Sequence, residues 1–312
     1  MNEIYRQQVD LLLSILPFVA EEKCFALKGG TAINLFVRNL PRLSVDIDLA
    51  YLPFDKRDVA LVNISAALDR IKNRAEKLIP NLKITKAIQS DGNETKLICL
   101  RNGVHIKIEV NTVMRGHLFD TEPMKVSDKV EDEFSKFATI CVLSSGELYG
   151  GKLCAALDRQ HPRDLFDVHQ LLKYEGITPE IKQGLIVALL SHPRPIHEVL
   201  FPNLQDRKDV FYNQFEGMTV EPFEYRDFEE TRIKFINEIT KSLTDNEKKF
   251  LISFAAGNPD WNLGGILNIE KLPAVQWKLL NINKLTKENP KKHEKQLKDL
   301  VGKLEKGKKK NE

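Results

Sequence analysis

The chain has 312 residues, of which 42% are hydrophobic and 29% are charged, and its formal net charge at pH 7 is +3. This length and apolar content allow substantial cores and predict about two domains. The amino terminus lacks a basic segment, and Ser14 and Pro17 interrupt the apolar run from residue 11 to residue 20. These features argue against a signal peptide and a membrane span, and we expect a cytoplasmic protein.

Hydrophobic periodicity predicts a mixed α/β first half. Helices are predicted at residues 4–22, 31–39, 58–79 and 145–159. Strands are predicted near residues 25–28, 44–50, 82–88, 95–101, 104–111 and 137–142.

After Pro162 the strand-like alternation mostly disappears, and helical spacing dominates. Helical spacing is clear in residues 181–190, 228–243 and 247–255. The predicted fold class is therefore α/β (α+β), with a mixed sheet and helices followed by a C-terminal helical bundle. We predict a first domain over residues 1–175, a helical domain over residues 176–290 and a lysine-rich tail over residues 291–312.

A glycine turn precedes two acidic residues on one predicted strand. Gly29, Gly30 and Thr31 follow the first strand and open a helix, a place where backbone N–H groups can receive phosphate oxygens. In the next strand Asp46 and Asp48 alternate with apolar residues and therefore share one face. The order of these motifs predicts a nucleotide-binding turn beside a shelf for divalent cations.

A third acidic residue has the same pattern. Residues 104–110 alternate so that Glu109 lies on the polar face of what we expect to be a neighbouring strand. Asp46, Asp48 and Glu109 are therefore the predicted metal ligands, and Glu109 can instead act as the base that takes a proton from an acceptor hydroxyl.

Residues 147–159 are predicted to form a helix in which Lys152, Ala155, Ala156 and Arg159 share one side. A surface lysine is the simpler interpretation. A lysine at this point could also stabilise the charge on departing pyrophosphate.

Pro162 suits the first position of another helix, and acidic residues near a helix start favour its dipole without any catalytic role. Asp164 and Asp167 lie three residues apart and share a face. We expect both carboxylates to support the site by orienting Lys152 or Arg163.

Other chemistry-bearing residues are less informative. The histidines lack the close His or Cys spacing of a zinc site, so scattered surface or core histidines are the favoured interpretation; they include His105, His161 and His169. The cysteines are equally far apart and are expected to be reduced and mostly buried: Cys24, Cys99, Cys141 and Cys154.

Four ordered motifs carry a family resemblance. They are Leu27 to Ala32, Arg42 to Leu49, Ile108 to Val110 and Lys152 to Asp167. In these motifs the chain resembles the AbiEii-type nucleotidyltransferase toxins of abortive-infection and toxin–antitoxin systems. The resemblance extends from residue 27 to about residue 279 and is looser in its C-terminal part. Val168 stands where the family motif usually has leucine, a conservative departure.

The resemblance implies a nucleotidyltransferase fold, an NTP substrate, Mg²⁺ or Mn²⁺ as the cation, and a separately encoded antitoxin. It also implies an RNA acceptor, since close relatives act on tRNA. The implied catalytic residues are Asp46, Asp48, Glu109, Lys152, Asp164 and Asp167. The implied nucleotide-binding residues are Gly29, Gly30, Thr31, Arg42, Lys152 and Arg163.

The last segment is strongly basic. Residues 284–312 contain eleven lysines and five acidic residues, so the rest of the chain is slightly acidic. Such tails are commonly solvated, but this one could also contact an RNA backbone. Transfer to a protein or small-molecule hydroxyl and a non-catalytic nucleotide-binding module remain as alternatives. The presence of all three strand carboxylates together with Lys152 argues against a non-catalytic module.

Overall fold

The computed structural model describes residues 3–87 and 95–306. The chain divides into two compact units. Unit one comprises Met1–Ser144 and Phe215–Pro222, and unit two comprises Ser145–Gln214 and Phe223–Glu312. Within the described ranges, no helix is long and apolar enough to cross a membrane. The four cysteines are free thiols.

Unit one is built on a mixed sheet. Its strands are β1 (Phe25–Lys28), β2 (Asp46–Tyr51), β3 (Leu82–Ala87), β4 (Lys96–Arg101), β5 (Val104–Val110), β6 (Glu122–Lys125) and β7 (Thr139–Val142). Their spatial order is β3-β4-β5-β2-β1-β7-β6. The β1–β7 and β2–β5 pairs are parallel and the other neighbouring pairs are antiparallel.

Helices cover the core of this sheet. They are α1 (Glu3–Ala20), α2 (Gly29–Ala32), which continues as a π-helical segment over Ile33–Val37, α3 (Arg57–Leu78) and α4 (Asp128–Phe134). Helix α1 packs on β5, β7 and α3. The central strands supply the apolar partners, because Ile47 and Leu49 of β2 and Ile108 of β5 are fully buried. The alternation that buries these residues leaves the acidic residues of the same strands on the other face.

Unit two is helical. Its helices are α5 (Ser145–Arg159), α6 (Pro162–Tyr174), α7 (Pro179–Ser191), α8 (Ile196–Leu200), α9 (Lys208–Gln214), α10 (Tyr225–Ser242), α11 (Asp245–Ala255), α12 (Trp261–Gly264), α13 (Pro273–Glu288) and α14 (Pro290–Lys306). A 3₁₀ turn covers Ile269–Lys271.

Helices α5 and α7 form the closest helix pair of unit two. Glycines make this approach possible, since a Cβ on Gly150 would lie 2.2 Å from the carbonyl carbon of Gly184. A Cβ on Gly184 would lie 2.0 Å from the carbonyl oxygen of Gly146. Any side chain here would therefore push the two helices apart.

The predicted fold class is confirmed: a seven-stranded mixed sheet with helices is followed by a helical second half. The first compact unit ends at Ser144, whereas the predicted first domain extends to residue 175. Helix α5 falls in the second unit because it packs mainly on α7. The short segment Phe215–Pro222 belongs to unit one although the residues on both sides of it belong to unit two. No local sequence pattern predicts this assignment.

The described part of the basic end, Pro290–Lys306, forms a packed helix. Helix α14 packs on α8, α11 and α13, and its Leu300 and Leu304 are buried. Residue 88 of the predicted third strand and residues 307–312 of the predicted tail lie outside the described residues.

Candidate active site

The glycine turn lies directly against an acidic residue of β2. Gly29 has φ +74, a conformation that favours glycine, and a Cβ here would lie 2.5 Å from Asp48 Oδ2. Two constraints therefore require glycine at this position: the backbone angle and the close approach of the Asp48 carboxylate. The predicted nucleotide-binding turn and the predicted metal ligand are thus immediate neighbours.

Gly30 is in close contact with a buried arginine. A Cβ on Gly30 would lie 2.7 Å from Arg42 Nη2 and 2.9 Å from Ser44 Oγ. Arg42 is 2% exposed, and its Nη1 donates to the Leu43 carbonyl at 2.9 Å. The guanidinium therefore lies beside the glycine turn, and the assignment of Arg42 to nucleotide binding stays a prediction.

The segment that carries Arg42 is braced by the returning part of unit one. Arg42 forms an isolated antiparallel bridge with Thr219. The Leu43 N–H donates to the Met218 carbonyl at 3.1 Å, and the Val220 N–H donates to the Pro41 carbonyl at 2.9 Å. Residues 215–222 thus help to position a candidate site residue that is distant in sequence.

Thr31 has a positioning role in this geometry. Its side chain is fully buried, and its hydroxyl donates to the backbone carbonyl of Asp46 and lies 3.0 Å from the Ser44 hydroxyl. Thr31 is one of the nucleotide-binding residues that the family resemblance implies. The observed contacts instead tie the glycine turn to the first residue of β2, and phosphate contact by the Thr31 hydroxyl stays a prediction.

The three predicted metal ligands lie on neighbouring strands. Asp46 and Asp48 are half-buried and alternate with buried residues of β2. In the parallel pairing of β2 with β5, Asp48 is in register with Glu109. Residues in register on adjacent strands point to the same face, and strands lie about 4.8 Å apart. The arrangement brings Asp48 and Glu109 side by side.

Glu109 has a partner that the sequence analysis missed. Lys96 of β4 is in register with Glu109, and its Nζ lies 3.2 Å from Glu109 Oε2. The Glu109 side chain is 45% exposed, so this ion pair is screened and exchangeable. The alternation of β4 was the available signal, because Lys96 shares a face with Ile98, opposite the buried Leu97.

Carboxylate oxygens are the ligands that Mg²⁺ and Mn²⁺ prefer, so the donor set of Asp46, Asp48 and Glu109 fits a hard divalent cation. Among residues 3–87 and 95–306, no group of three His, Cys, Asp or Glu side chains is already assembled around one point. The three carboxylates share a sheet face but do not converge on one point, and Glu109 forms an ion pair with Lys96.

Unit two contains a buried charge cluster. Lys152 Nζ lies 2.9 Å from Asp164 Oδ1 and 3.0 Å from Asp167 Oδ2, and these side chains are 5%, 1% and 1% exposed. Arg159 Nη2 donates to Asp164 Oδ1 at 3.0 Å. Both acidic residues therefore hold Lys152, as expected from the sequence. Its charge is already balanced in this unit, and its assignment as a phosphate ligand stays a prediction.

The electrostatics of the cluster favour the ionised acid. Burial alone would raise the pKa of Asp164, but the charges of Lys152 and Arg159 outweigh it and hold the pKa well below its ordinary value. A buried carboxylate that is charged at every physiological pH fixes the lysine next to it.

His161 begins helix α6 beside this cluster. Its Nδ1 accepts a hydrogen bond from the backbone N–H of Arg163 at 3.2 Å. Burial and the nearby Arg163 charge lower the pKa of His161 to about 4, so the ring is neutral and able to accept. The predicted nucleotide-binding Arg163 is half-buried in the first turn of α6.

Comparison with known proteins identifies the family. A family model described as the nucleotidyl transferase AbiEii toxin of type IV toxin–antitoxin systems matches residues 10–281. The chain belongs to the AbiEii family. The match includes every candidate residue named above and ends within α13, so α14 lies beyond it.

The fold is also found in a solved structure. This AbiEii protein resembles MenT4, a nucleotidyltransferase toxin from Mycobacterium tuberculosis H37Rv, with a TM-score of 0.62 and 13% sequence identity. The similarity covers 89% of this chain and 93% of MenT4. At this identity the likeness establishes a shared fold. No curated protein sequence matches the chain significantly.

Proposed function

We propose that this AbiEii-family protein transfers a nucleoside monophosphate from an NTP to a hydroxyl group of an RNA, of the tRNA class, and that this transfer is its toxic activity. The observation that carries the proposal is the placement of Asp48: it lies in register with Glu109 and against the Cα of Gly29. A phosphate received by the glycine turn would therefore meet carboxylates that bind cations.

Two residues of the glycine turn position the carboxylates of β2. Gly29 leaves room for the Asp48 carboxylate, and the buried Thr31 fixes the backbone of Asp46. We assign Asp46, Asp48 and Glu109 as holders of Mg²⁺ or Mn²⁺. When bound, such a cation neutralises phosphate charge and polarises the α-phosphate. Arg42, beside Gly30, adds a fixed positive charge near the same turn.

The proposed reaction breaks one bond and forms one. The acceptor hydroxyl oxygen attacks the α-phosphorus, the bond from the α-phosphorus to the bridging oxygen breaks, and pyrophosphate leaves. Glu109 can take the hydroxyl proton if it exchanges its ion pair with Lys96. If Glu109 instead acts as a cation ligand, the proton passes to solvent water; its 45% exposure permits either role. Arg163 and Lys152 stay proposed nucleotide-binding residues, as the family resemblance implies.

The family assignment implies a cognate antitoxin. Expression of the wild-type protein should therefore slow bacterial growth when the antitoxin is absent. Substitution Asp46→Ala or Asp48→Ala should relieve the inhibition, because each removes a carboxylate without changing the apolar face of β2. Equal growth inhibition by wild type and Asp48→Ala would mean that binding, not catalysis, causes the toxicity.

A labelling experiment identifies the acceptor. Incubation of the purified protein with each α-labelled NTP, Mg²⁺, total RNA and total protein separates the alternatives by the fraction that takes up label. Label in small RNA supports the proposal. Label in protein or in a small molecule would show that the acceptor is not RNA. No labelled product with any NTP would support a non-catalytic nucleotide-binding module.

A further inference from the structure

One face of the sheet in unit one is exposed beside the candidate active site. The buried residues of β3, β4 and β5 alternate with exposed ones, and the buried ones lie on the face that α1 and α3 pack against. The opposite face continues from the carboxylates of β2, since the strand order is β3-β4-β5-β2. We call this surface the open face, and its exposed side chains come from β3, β4 and β5 in turn: Lys83, Thr85, Ile98, Leu100, His105 and Lys107.

Strand register orders these side chains relative to the carboxylates. Lys107 is in register with Asp46 on one side and with Ile98 on the other. Residues in register on neighbouring strands lie about 5 Å apart, so Lys107 is next to a predicted cation ligand. Lys83 is in register with Leu100, and its strand lies about 10 Å beyond β5. The open face therefore leads away from the carboxylates across three strands.

The open face is positively charged. Its nearest acidic neighbour on β5, Glu109, is already paired with Lys96. Within residues 3–87 and 95–306, neither Lys83 nor Lys107 forms an ion pair. Two exposed ammonium groups without a counter-charge from the described chain attract an anionic partner, and RNA phosphates are such a partner.

The middle strand of the open face is apolar. Ile98 and Leu100 are 37% and 44% exposed, at positions of β4 that point away from the core. Outward positions of an antiparallel sheet with one solvated face are usually polar. Two neighbouring aliphatic side chains here can contact the unpaired bases and riboses of a single strand without selecting a base. Basic groups that follow the backbone, together with an apolar surface for the bases, are the components of single-strand binding.

The chemistry of the transfer favours the same side. In phosphoryl transfer the attacking and leaving oxygens lie roughly in line, on opposite sides of the phosphorus. The proposed triphosphate site is the glycine turn that follows β1, and β1 and β5 flank β2 on opposite sides. If pyrophosphate leaves on the β1 side, the acceptor hydroxyl approaches from the β5 side, where the open face begins.

We propose that the open face binds the single-stranded segment of the RNA acceptor that leads to the reacting hydroxyl. Lys107 and Lys83 contact its phosphates, and Ile98 and Leu100 contact its bases and riboses. These are positioning residues, since none of them touches the reacting atoms. The inference rests on the proposed RNA acceptor and identifies where unit one holds it.

The first test is equilibrium binding of a short fluorescein-labelled oligouridine, without NTP, by fluorescence polarisation at several salt concentrations. The double variant Lys83→Gln/Lys107→Gln should bind at least about tenfold more weakly at low salt. Its slope of log affinity against log salt should be shallower by about 1.4, because each lost contact with a single strand contributes about 0.7. Ile98→Ala should weaken binding about fourfold, the effect of burying roughly one methylene group fewer, with an unchanged slope.

The matched control is Lys77→Gln. Lys77 is an exposed lysine in the last turn of α3, a helix that packs on the other face of the sheet. It should bind oligouridine as the wild type does. Urea denaturation of every variant should give the wild-type midpoint, because the replaced side chains are exposed, so a folding defect is recognised.

Two further measurements separate positioning from catalysis and locate the RNA. In nucleotide transfer, Lys83→Gln should raise the KM for RNA and leave the KM for NTP and the kcat at saturating RNA within about twofold, since Lys83 lies two strands beyond β5. Oligouridine that contains 4-thiouridine should, on irradiation of the wild type, cross-link to peptides of β4 or β5.

An RNA affinity of the double variant equal to that of the wild type would overturn the proposal and leave the open face to a protein partner. Cross-links confined to unit two would also overturn it. Lysine-dependent RNA binding without nucleotide transfer to RNA would support this inference and remove the proposed function. Transfer to RNA by the double variant with an unchanged KM for RNA would do the reverse, so the two failures are distinguishable.

Discussion

Replacement of Lys152 tests the buried charge cluster most sharply. Lys152→Met keeps the length and apolar stem of the side chain and removes the ammonium group. Asp167 then loses the Lys152 ammonium at 3.0 Å and Asp164 loses it at 2.9 Å, and both carboxylates are 1% exposed. Asp164 keeps Arg159, but the Arg159 side chain is 61% exposed and its charge is partly screened.

The expected cost follows from this geometry. Removing one partner of a buried ion pair destabilises a protein by about 3–5 kcal/mol, because it leaves an uncompensated charge. We expect a loss near the lower figure, about 3 kcal/mol, since Arg159 still faces Asp164. The control Lys173→Met, at an exposed position of α6, should change stability by less than about 0.5 kcal/mol.

The measurement is urea denaturation of both variants and the wild type between pH 7 and pH 4. In the wild type the pKa of Asp164 is lowered in the folded state, so its stabilisation is present above its ordinary pKa and is lost as pH falls below it. In Lys152→Met the buried acids can protonate at higher pH. The difference from wild type should therefore shrink as pH falls. A stability difference below about 1 kcal/mol at pH 7 would refute the reasoning.

Three further outcomes are expected. Gly29→Ala should lower the free energy of unfolding by about 1–2 kcal/mol, measured by urea denaturation, because residue 29 has a φ of +74. It should also reduce nucleotide transfer, because the new Cβ would lie 2.5 Å from Asp48 Oδ2 and displace that carboxylate. Full transfer activity would contradict this prediction. Burial lowers the pKa of Lys278 to about 8 in the folded state, below its value in the unfolded chain. The free energy of unfolding should therefore rise between pH 8 and pH 10. This rise should be absent in Lys278→Met. The last change replaces exposed lysines of α14 by glutamine: Lys291, Lys295 and Lys298. If all three contact RNA phosphates, the slope of log affinity against log salt should become shallower by about 2, measured by fluorescence polarisation, and an unchanged slope would exclude this surface.

The parts of the fold with strong local periodicity could be predicted from the sequence. Strands β2 and β5 alternate clearly, and their alternation placed Asp46, Asp48 and Glu109 on polar faces. Strand β6 was missed because it is four residues long, contains a proline and is mostly exposed. It exists only through its pairing with β7 at the sheet edge.

Contacts between distant segments could not be predicted. The ion pair of Lys96 with Glu109 depends on strand register, and the bracing of Arg42 depends on residues 215–222. Helix α14 was interpreted as a tail because of its charge. Its Leu297, Leu300 and Leu304 follow helical spacing, a signal that indicates a packed helix and that the lysine count obscured.

The central claim is that the carboxylates of β2 carry nucleotidyl transfer, and single-turnover transfer from labelled NTP by Asp48→Asn tests it most directly. The matched control is Asp58→Asn, an exposed acidic residue of α3. Asp48→Asn should remain folded and slow transfer at least about a hundredfold, because a cation on the phosphates contributes several kcal/mol to transition-state stabilisation. Asp58→Asn should match the wild type. Transfer by Asp48→Asn within a few-fold of the control would contradict the account.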